Sequence, residues 1–272
     1  MSDTYRIGIV GAGSMGGAVA RGLVASGLYE GSQVLVCDHN PGKLEALAAE
    51  AGVTCLPDAE ALLAEGPDAV VLAIKPQVMA AFVRDHAEEL SRALVISIAA
   101  GLPIATYERM LPGARVVRVM PNLPISVRSG ASAVAAGSNA TPEDVERVVA
   151  MFASMGSAQV MREDQVDVCG QSVGCSPALF ALMVDTLTRA AVRRGMPAAA
   201  ARSMFESTML GTARLLVDSG EHPRAFMERV TSPGGTTIQF LKELEPLLAK
   251  GCEDGIDAAL ARNAELAGDK DE

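Results

Sequence analysis

A glycine-rich turn near the start of the chain most strongly limits what this sequence can fold into. A short apolar run, Ile7 to Val10, is followed by Gly11, Gly13 and Gly16 in the spacing G-x-G-x-x-G, and an apolar helix-like stretch comes next. In this context the glycines permit a tight turn, a close approach to a phosphate and close helix–strand packing. The helix N-terminus adds N–H donors. The pattern predicts a dinucleotide pyrophosphate site formed by Gly11, Ala12, Gly13, Ser14, Met15 and Gly16. The alternative is a glycine turn with a structural role only.

Composition favours an aliphatic α/β protein with many helices. Of the 272 residues, 49% are apolar but only 3% are aromatic. This length allows one large domain or two ordinary ones. The formal charge of −10 and the lack of a basic run argue against a surface for nucleic acid or for an anionic membrane.

Cysteines and histidines are few and dispersed. The five cysteines are never spaced as C-x-x-C, and the three histidines lie far apart in the sequence. This pattern favours a reducing compartment, with neither disulfides nor a metal site. The first residues do not resemble a signal peptide, and no uninterrupted apolar run suggests a membrane span. We therefore expect a cytoplasmic protein.

Short apolar strands alternate with helical stretches through the first half of the chain. Strands are predicted at 7–10, 34–37, 69–73, 94–98 and 115–119, with a sixth at 131–136 and an edge strand at 159–161. Such strands predict a parallel, Rossmann-type sheet covered by helices on both faces. Ligands of these sheets bind beyond the carboxyl ends of the strands, so the residues that follow each strand are candidate site residues.

Asp38 and His39 follow the second predicted strand. A carboxylate at this position accepts hydrogen bonds from ribose hydroxyls and repels a 2′-phosphate, which favours NAD. Alternatively, Asp38 opens the turn Asp38-His39-Asn40-Pro41. His39, or an arginine elsewhere, leaves NADP open.

Further candidates follow the later strands. Lys75, which comes two residues after Ala73 and directly before Pro76, is placed to bind anions of a cofactor or substrate, although a surface lysine before a proline turn is an equal alternative. Ala99 is small enough to let backbone lie close to a flat ring. Asn122 presents an amide where a nicotinamide is expected.

The strand pattern stops near Glu163. Helices are predicted at 177–194, 197–217, 223–229, 236–248 and 252–266. Several are apolar on more than one face and must be buried, yet about 110 residues of helix offer little burial of their own. We therefore expect a dinucleotide-binding domain over 1–161 and an all-helical dimerisation domain over 162–272.

A second motif lies inside the helical half. Hydroxyl side chains and two glycines precede a helix, at Ser232, Gly234, Gly235, Thr236 and Thr237. Hydroxyls and free N–H groups at a helix N-terminus make a compact receptor for a carboxylate. An elaborate helix cap is the alternative.

The segment Val-Thr-Ser-Pro-Gly-Gly-Thr-Thr at 230–237 resembles the signature of the pyrroline-5-carboxylate reductases, the last enzymes of proline biosynthesis. Further segments follow in family order: the glycine loop, 72–77, 96–101, 120–122, 192–197 and 222–223. The resemblance implies NADH or NADPH as cofactor and a homo-oligomer of at least two intertwined chains. The active site would lie between one subunit's cofactor cleft and the partner's helices. It also implies that the Ser232–Thr237 loop binds the carboxylate of an imino-acid substrate and that Thr237 is catalytic, as the donor to the imine nitrogen.

Several positions depart from the family pattern. Val173 to Leu179, including Cys175 and Ser176, replaces the usual Ser-Gly-Ser-Gly-Pro-Ala-Tyr, and Asp38-His39 replaces an asparagine–arginine pair. Leu123 replaces a threonine, and Phe240 adds bulk after the substrate loop. Three hypotheses follow: reduction of 1-pyrroline-5-carboxylate to L-proline, reduction of another cyclic imine, or dinucleotide binding without catalysis.

Overall fold

The computed structural model describes residues 5–268, with side chains described as far as residue 265. The chain forms two compact units. One contains the residues up to Cys175 together with those from Leu260 onward, and the other contains Ser176–Ala259.

The first unit is built on an eight-stranded sheet in the order β3-β2-β1-β4-β5-β6-β7-β8. The strands are β1 (Ile7–Val10), β2 (Val34–Cys37), β3 (Thr54–Leu56), β4 (Ala69–Leu72), β5 (Leu94–Ser97), β6 (Arg115–Pro121), β7 (Gly130–Ala136) and β8 (Gly156–Val160). All pairs from β3 to β6 are parallel, β7 is antiparallel to β6, and β8 is parallel to β7. The predicted Rossmann-type sheet is confirmed, with a reversal of direction at its last two strands.

Helices cover both faces of this sheet. They are α1 (Ser14–Ala25), α2 (Pro41–Ala51), α3 (Ala59–Ala64), α4 (Pro76–Asp85), α5 (Ala87–Arg92), α6 (Ile104–Met110), α7 (Pro142–Ala153) and α8 (Glu163–Ser172). Side chains of α1, α2 and α7 form the core on one face, and side chains of α3 to α6 and of α8 form the core on the other. Since the central strands are buried on both sides, their sequences are continuous apolar runs.

The second unit is helical, as predicted. It contains α9 (Ser176–Val192), α10 (Ala198–Ser219), α11 (Pro223–Arg229) and most of α12 (Thr236–Gly268). Large apolar side chains are exposed on these helices, including Phe180, Leu182, Met204, Leu210, Leu215 and Val217. The single chain therefore leaves apolar surface that a second subunit would cover.

Some predicted elements differ from the observed ones. The two helices predicted at 236–248 and 252–266 are one continuous helix, α12. The edge strand predicted at 159–161 is β8, which begins earlier, at Gly156. Both β3 and α8 were absent from the prediction. Because α8 packs against β6 and β7, it belongs to the first compact unit, which extends to Cys175. The domain boundary at 161 stays a prediction.

One stretch is long and apolar enough to cross a membrane, which was not predicted from the sequence. This stretch is Glu163–Val192, which meets the requirement by length and composition only, and 6% of its apolar 18-residue segment is buried. The stretch is divided between α8, with 10 residues, and α9, with 17 residues. At about 1.5 Å per residue, neither helix alone spans a hydrocarbon core of about 30 Å. Exposed apolar helices are equally what a subunit interface requires.

Candidate active site

The three glycines of the G-x-G-x-x-G loop after β1 have different surroundings. Gly11 has a φ of 104°, and a Cβ there would lie 2.7 Å from the Ala73 carbonyl oxygen. A Cβ on Gly16 would lie 1.9 Å from the Gly11 carbonyl oxygen, whereas no described atom lies within 4 Å of a Cβ built on Gly13. Gly11 and Gly16 are thus required by packing, while Gly13, the N-cap of α1, faces open space. This cradle fits a phosphate held by the N-terminus of α1.

Asp38 ties the end of β2 to this loop. Its Oδ2 accepts a hydrogen bond of 2.8 Å from the Ala12 N–H, and its Oδ1 accepts one of 2.9 Å from the Asn40 N–H. Lys43 Nζ lies 3.8 Å from the same Oδ1. Asp38 therefore does stabilise the turn that follows β2, and its carboxylate oxygens can still accept hydrogen bonds from further donors. His39 is exposed beside it. The ribose role of Asp38 stays a prediction.

Cys37 lies beneath the loop and is not a candidate for chemistry. Its carbonyl oxygen accepts a hydrogen bond from the Gly11 N–H. Burial raises the pKa of the Cys37 thiol to about 12. The side chain is therefore protonated and unreactive near neutral pH.

The remaining candidates for cofactor binding follow β4, β5 and β6. Ala73 donates its N–H to the Val10 carbonyl oxygen, and Lys75 is an exposed N-cap of α4 beside Pro76. Ala99 is buried, and its N–H donates to Ser97 Oγ over 3.3 Å.

Asn122 makes contacts that sequence reasoning did not anticipate. Its Oδ1 accepts from the Ala131 N–H at 2.8 Å, and its Nδ2 donates to the Val173 carbonyl oxygen at 3.4 Å. The amide therefore links the loop after β6 to β7 and to the end of α8. Its predicted place beside a nicotinamide stays a prediction.

The strand order brings these residues to one edge of the sheet. The order reverses between β1 and β4, and a dinucleotide binds in the crevice at such a switch point. The glycine loop and Asp38 lie at the carboxyl ends of β1 and β2. Lys75, Ala99 and Asn122 lie beyond the ends of β4, β5 and β6.

The predicted substrate loop lies in the second unit, between α11 and α12. Gly234 has a φ of 70°, and a Cβ on Gly235 would lie 2.3 Å from Ser232 Oγ. The left-handed backbone favours glycine at 234, while at 235 a side chain would displace the Ser232 hydroxyl. Ser232, Gly234 and Thr236 are exposed, while Thr237 is half-buried in the first turn of α12. The first N–H groups of a helix have no partner within it, so this turn offers donors to an anion.

A shallow concavity of about 570 Å³ adjoins this loop. Ser232, Pro233 and Lys242 are among its lining residues, and so are Arg224 and Glu245, whose side chains form an ion pair of 2.5 Å. Thr231 also lines this concavity, but its hydroxyl donates its proton to the Met227 carbonyl oxygen on α11. Ser232 follows it with an exposed side chain and is the first residue of the predicted loop that can donate a hydroxyl to a ligand.

Among the described residues, no cluster of three or more His, Cys, Asp or Glu side chains is arranged to hold a metal ion.

Sequence reasoning missed two polar groups on the sheet. Ser97 Oγ and Tyr107 Oη lie 2.6 Å apart in the core, and Arg118 is buried in β6 with Glu163 and Asp167 as partners. The sequence feature that could have indicated the second group is Arg118 itself, an arginine inside an otherwise apolar strand sequence.

The glycine cradle, the strand order and the helical second unit define a Rossmann-type oxidoreductase with a dimerisation domain. Residues 6–101 match the family profile described as NADP oxidoreductase, coenzyme F420-dependent. Residues 163–266 match the profile described as pyrroline-5-carboxylate reductase dimerisation. The second profile places the dimerisation segment in the helical half, as predicted.

Similar proteins cover nearly the whole chain. The chain is 36% identical over 259 residues to a pyrroline-5-carboxylate reductase from Methanosarcina acetivorans, which covers 94% of this chain and 93% of that protein. It superposes with a TM-score of 0.91, at 31% identity, on a pyrroline-5-carboxylate reductase structure from Coxiella burnetii, covering 97% of this chain and 99% of the other. The fold is also that of the Plasmodium falciparum pyrroline carboxylate reductase with NADP bound, with a TM-score of 0.85, 24% identity and coverage of 98% and 100%. This chain belongs to the pyrroline-5-carboxylate reductase family.

Proposed function

We propose that this protein reduces 1-pyrroline-5-carboxylate to L-proline with NADH or NADPH as reductant. The observation that carries the proposal is the intact Ser232–Thr237 loop at the start of α12, in a chain that also has the Gly11–Gly16 cradle. A protein that only senses dinucleotides needs no receptor for a substrate carboxylate. The names of the full-length relatives support the same reaction.

The carboxyl edge of the sheet fits a nicotinamide dinucleotide. The open space at Gly13 and the N-terminus of α1 suit the pyrophosphate, and Asp38 suits the adenosine ribose. The loops after β4, β5 and β6 border the other half of the cleft. The bound cofactor supplies the hydride, and these residues fix its orientation.

The loop in the second unit binds and polarises the imine. Ser232 and the free N–H groups of the first turn of α12 bind the carboxylate. Thr237 donates a hydrogen bond to the imine nitrogen, directly or through water, as charge shifts there. A stronger acid is unnecessary, because a cyclic imine is readily protonated near neutral pH.

We further propose that the working protein is a homo-oligomer of at least two chains in the cytoplasm. The exposed apolar side chains of α9 and α10 support the assembly. The five free cysteines support a reducing compartment.

The decisive experiment follows oxidation of NADH and of NADPH by the purified protein with two imines in parallel. We expect turnover of pyrroline-5-carboxylate to be faster than that of its six-membered homologue. Turnover of only the homologue would instead assign the departures at Leu123 and Phe240, which are both exposed, to a different substrate pocket. Cofactor binding without turnover of either imine would overturn the proposal.

Thr237→Ala tests the role of the donor. We expect kcat/KM for pyrroline-5-carboxylate to fall by roughly 10- to 100-fold, the loss expected for one polarising hydrogen bond. Thr237→Ser keeps the hydroxyl and should recover most of the activity. Near-normal kinetics in the alanine variant would remove the imine role from Thr237.

A further inference from the structure

An ion-pair cluster around the buried Arg118 lies under the carboxyl edge of the sheet, apart from the residues proposed to bind cofactor or substrate. Arg118 is 1% exposed in the middle of β6. Its Nη1 donates to Glu163 Oε1 at 3.1 Å and its Nη2 to Asp167 Oδ1 at 2.6 Å. Both carboxylates lie on α8, so two charge-assisted hydrogen bonds join that helix to the strand.

Glu163 extends the cluster to a third element. The same Oε1 accepts a hydrogen bond of 2.6 Å from the Ile104 N–H. Ile104 begins α6, directly after the loop that carries Ala99 and Gly101. One carboxylate oxygen therefore connects the loop after β5 to the arginine of β6.

Neighbouring polar contacts continue the connection toward the edge of the sheet. Ser97 Oγ accepts from the Ala99 N–H and lies 2.6 Å from Tyr107 Oη on α6. Asn122, which follows β6, donates to the Val173 carbonyl oxygen at the end of α8. The loops after β5 and β6 are thus both fixed to one helix.

We propose that Arg118, Glu163 and Asp167 are positioning residues for hydride transfer. They hold the loops after β5 and β6 at a fixed mutual distance, on the side of the switch point away from Asp38. This inference rests on the proposed function, since it assigns the nicotinamide to that side of the cleft.

The chemistry of the cluster suits this role better than a purely stabilising one. Arg118 is buried, but the Glu163 and Asp167 side chains are 32% and 40% exposed. Exposed ion pairs stabilise little and buried ones are often replaceable by apolar groups without loss, so the cluster is weak evidence for stabilisation. A guanidinium with two carboxylates instead fixes direction as well as distance. A hydride donor and its acceptor carbon are sensitive to displacements of about 1 Å, and such a displacement costs on the order of 100-fold in rate.

The test compares Arg118→Met, Glu163→Gln and Asp167→Asn with Asp164→Asn as a matched control. Asp164 lies on the same helix, but its ion pair with Arg162 is exposed. The measurements are kcat and KM for both substrates, the Kd of NADH, the isotope effect with NADH deuterated at the transferred position, and thermal melts. Hydrogen exchange of the unliganded protein is followed in peptides that cover 98–105 and 163–173.

We expect Arg118→Met to remain folded and to lose roughly 10- to 100-fold in kcat, with an NADH Kd within about threefold of wild type. Its isotope effect should rise, because misplacement slows the hydride step itself. The two conservative variants keep an acceptor oxygen and should fall between Arg118→Met and the control. Exchange should accelerate at 98–105 as well as at 163–173.

A folded Arg118→Met protein with wild-type kcat and isotope effect would overturn the inference. Faster exchange at 163–173 alone would do the same, since α8 would then be attached without positioning the loop after β5. If Arg118→Met does not fold, the same criteria apply to Glu163→Gln and Asp167→Asn. If the wild-type protein binds NADH but reduces neither imine, the proposed function fails and the role in hydride transfer fails with it. Unchanged exchange at 98–105 in Arg118→Met, in a protein that does reduce the imine, overturns the positioning role alone.

Discussion

At the scale of single residues, Gly13 and Gly16 lie in one loop but are required to be glycine for different reasons. Gly16 has no space for a side chain, because its Cβ would lie 1.9 Å from a backbone oxygen. Gly13 has space within the protein and an ordinary negative φ of −68°. We therefore expect glycine at position 13 to be required by a ligand bound at this loop, and not by packing within the chain.

The two alanine variants should separate these reasons. Gly16→Ala is expected to lower the free energy of unfolding by about 2–4 kcal/mol, because backbone must move. Gly13→Ala should cost less than about 1 kcal/mol, yet raise the Kd of NADH and NADPH by on the order of tenfold. Thermal melts and cofactor titrations measure both effects. Tight cofactor binding by Gly13→Ala would contradict the pyrophosphate site.

The charge of Asp38, rather than its hydrogen bonds, is expected to set cofactor preference. Asp38→Asn keeps an acceptor for the Ala12 or the Asn40 N–H, but it no longer repels a 2′-phosphate. The ratio of kcat/KM for NADPH to that for NADH should rise about tenfold, or ~1.4 kcal/mol. Asp58→Asn, at the N-cap of α3, is the control and should leave the ratio unchanged. An unchanged ratio in Asp38→Asn would leave Asp38 with a role in the turn alone.

At the scale of elements, the local sequence pattern predicted the central strands, which are buried on both faces of the sheet. The central strands have apolar runs that need no knowledge of their neighbours. The strand β3 has only three residues, none of them fully buried, so its sequence carries little pattern. The helix α8 was missed because only Val166 on it is buried.

The same limit applies to the site. The glycine loop and the Ser232–Thr237 loop are contiguous motifs and were readable from the sequence. The partners of Arg118 are 45 and 49 residues away along the chain. The second partner of Asn122 is 51 residues away. No local pattern encodes such pairings, and they become visible only when the sheet is formed.

Helix α12 is continuous where the sequence predicted a break between two helices. Two helices were predicted, at 236–248 and 252–266, yet the helix continues through Gly251 between them, and Lys250 pairs with Asp254 across it. A Cβ at Gly251 would meet open space. Gly251→Ala should therefore raise the free energy of unfolding by about 0.5–1 kcal/mol.

Gly220→Ala is the matched counterpart. A Cβ there would also meet open space, but Gly220 ends α10 with a φ of 62°. We expect a loss of about 1 kcal/mol, because a left-handed conformation is unfavourable for alanine. Denaturant unfolding of both variants provides the comparison. Effects of equal sign would show that backbone conformation does not control the two sites.

At the scale of the whole molecule, the exposed apolar side chains predict an assembly that a single charge can weaken. Leu210 on α10 is 72% exposed in the isolated chain and lies within the segment matched by the dimerisation profile. Leu210→Asp should raise the dissociation constant between subunits by on the order of 100-fold, because a charge would be buried. Sedimentation velocity over a range of concentrations measures this change.

Val127→Asp provides the control for that experiment. Val127 is equally exposed, at 71%, but lies outside the matched segment. It should leave the association unchanged. Equal sedimentation of wild type and Leu210→Asp would move the interface away from this part of α10.

The attachment of α8 to the sheet also has a consequence for anyone who exchanges halves between members of this family. A cut after residue 161, where the strand pattern of the sequence ends, would separate Arg118 from Glu163 and Asp167 and leave a guanidinium in the core without its counterions. A chimera joined after Cys175 would inherit strand, helix and ion pairs from one parent. The part of this protein that can be transplanted as one piece therefore extends into the segment that sequence profiles assign to dimerisation.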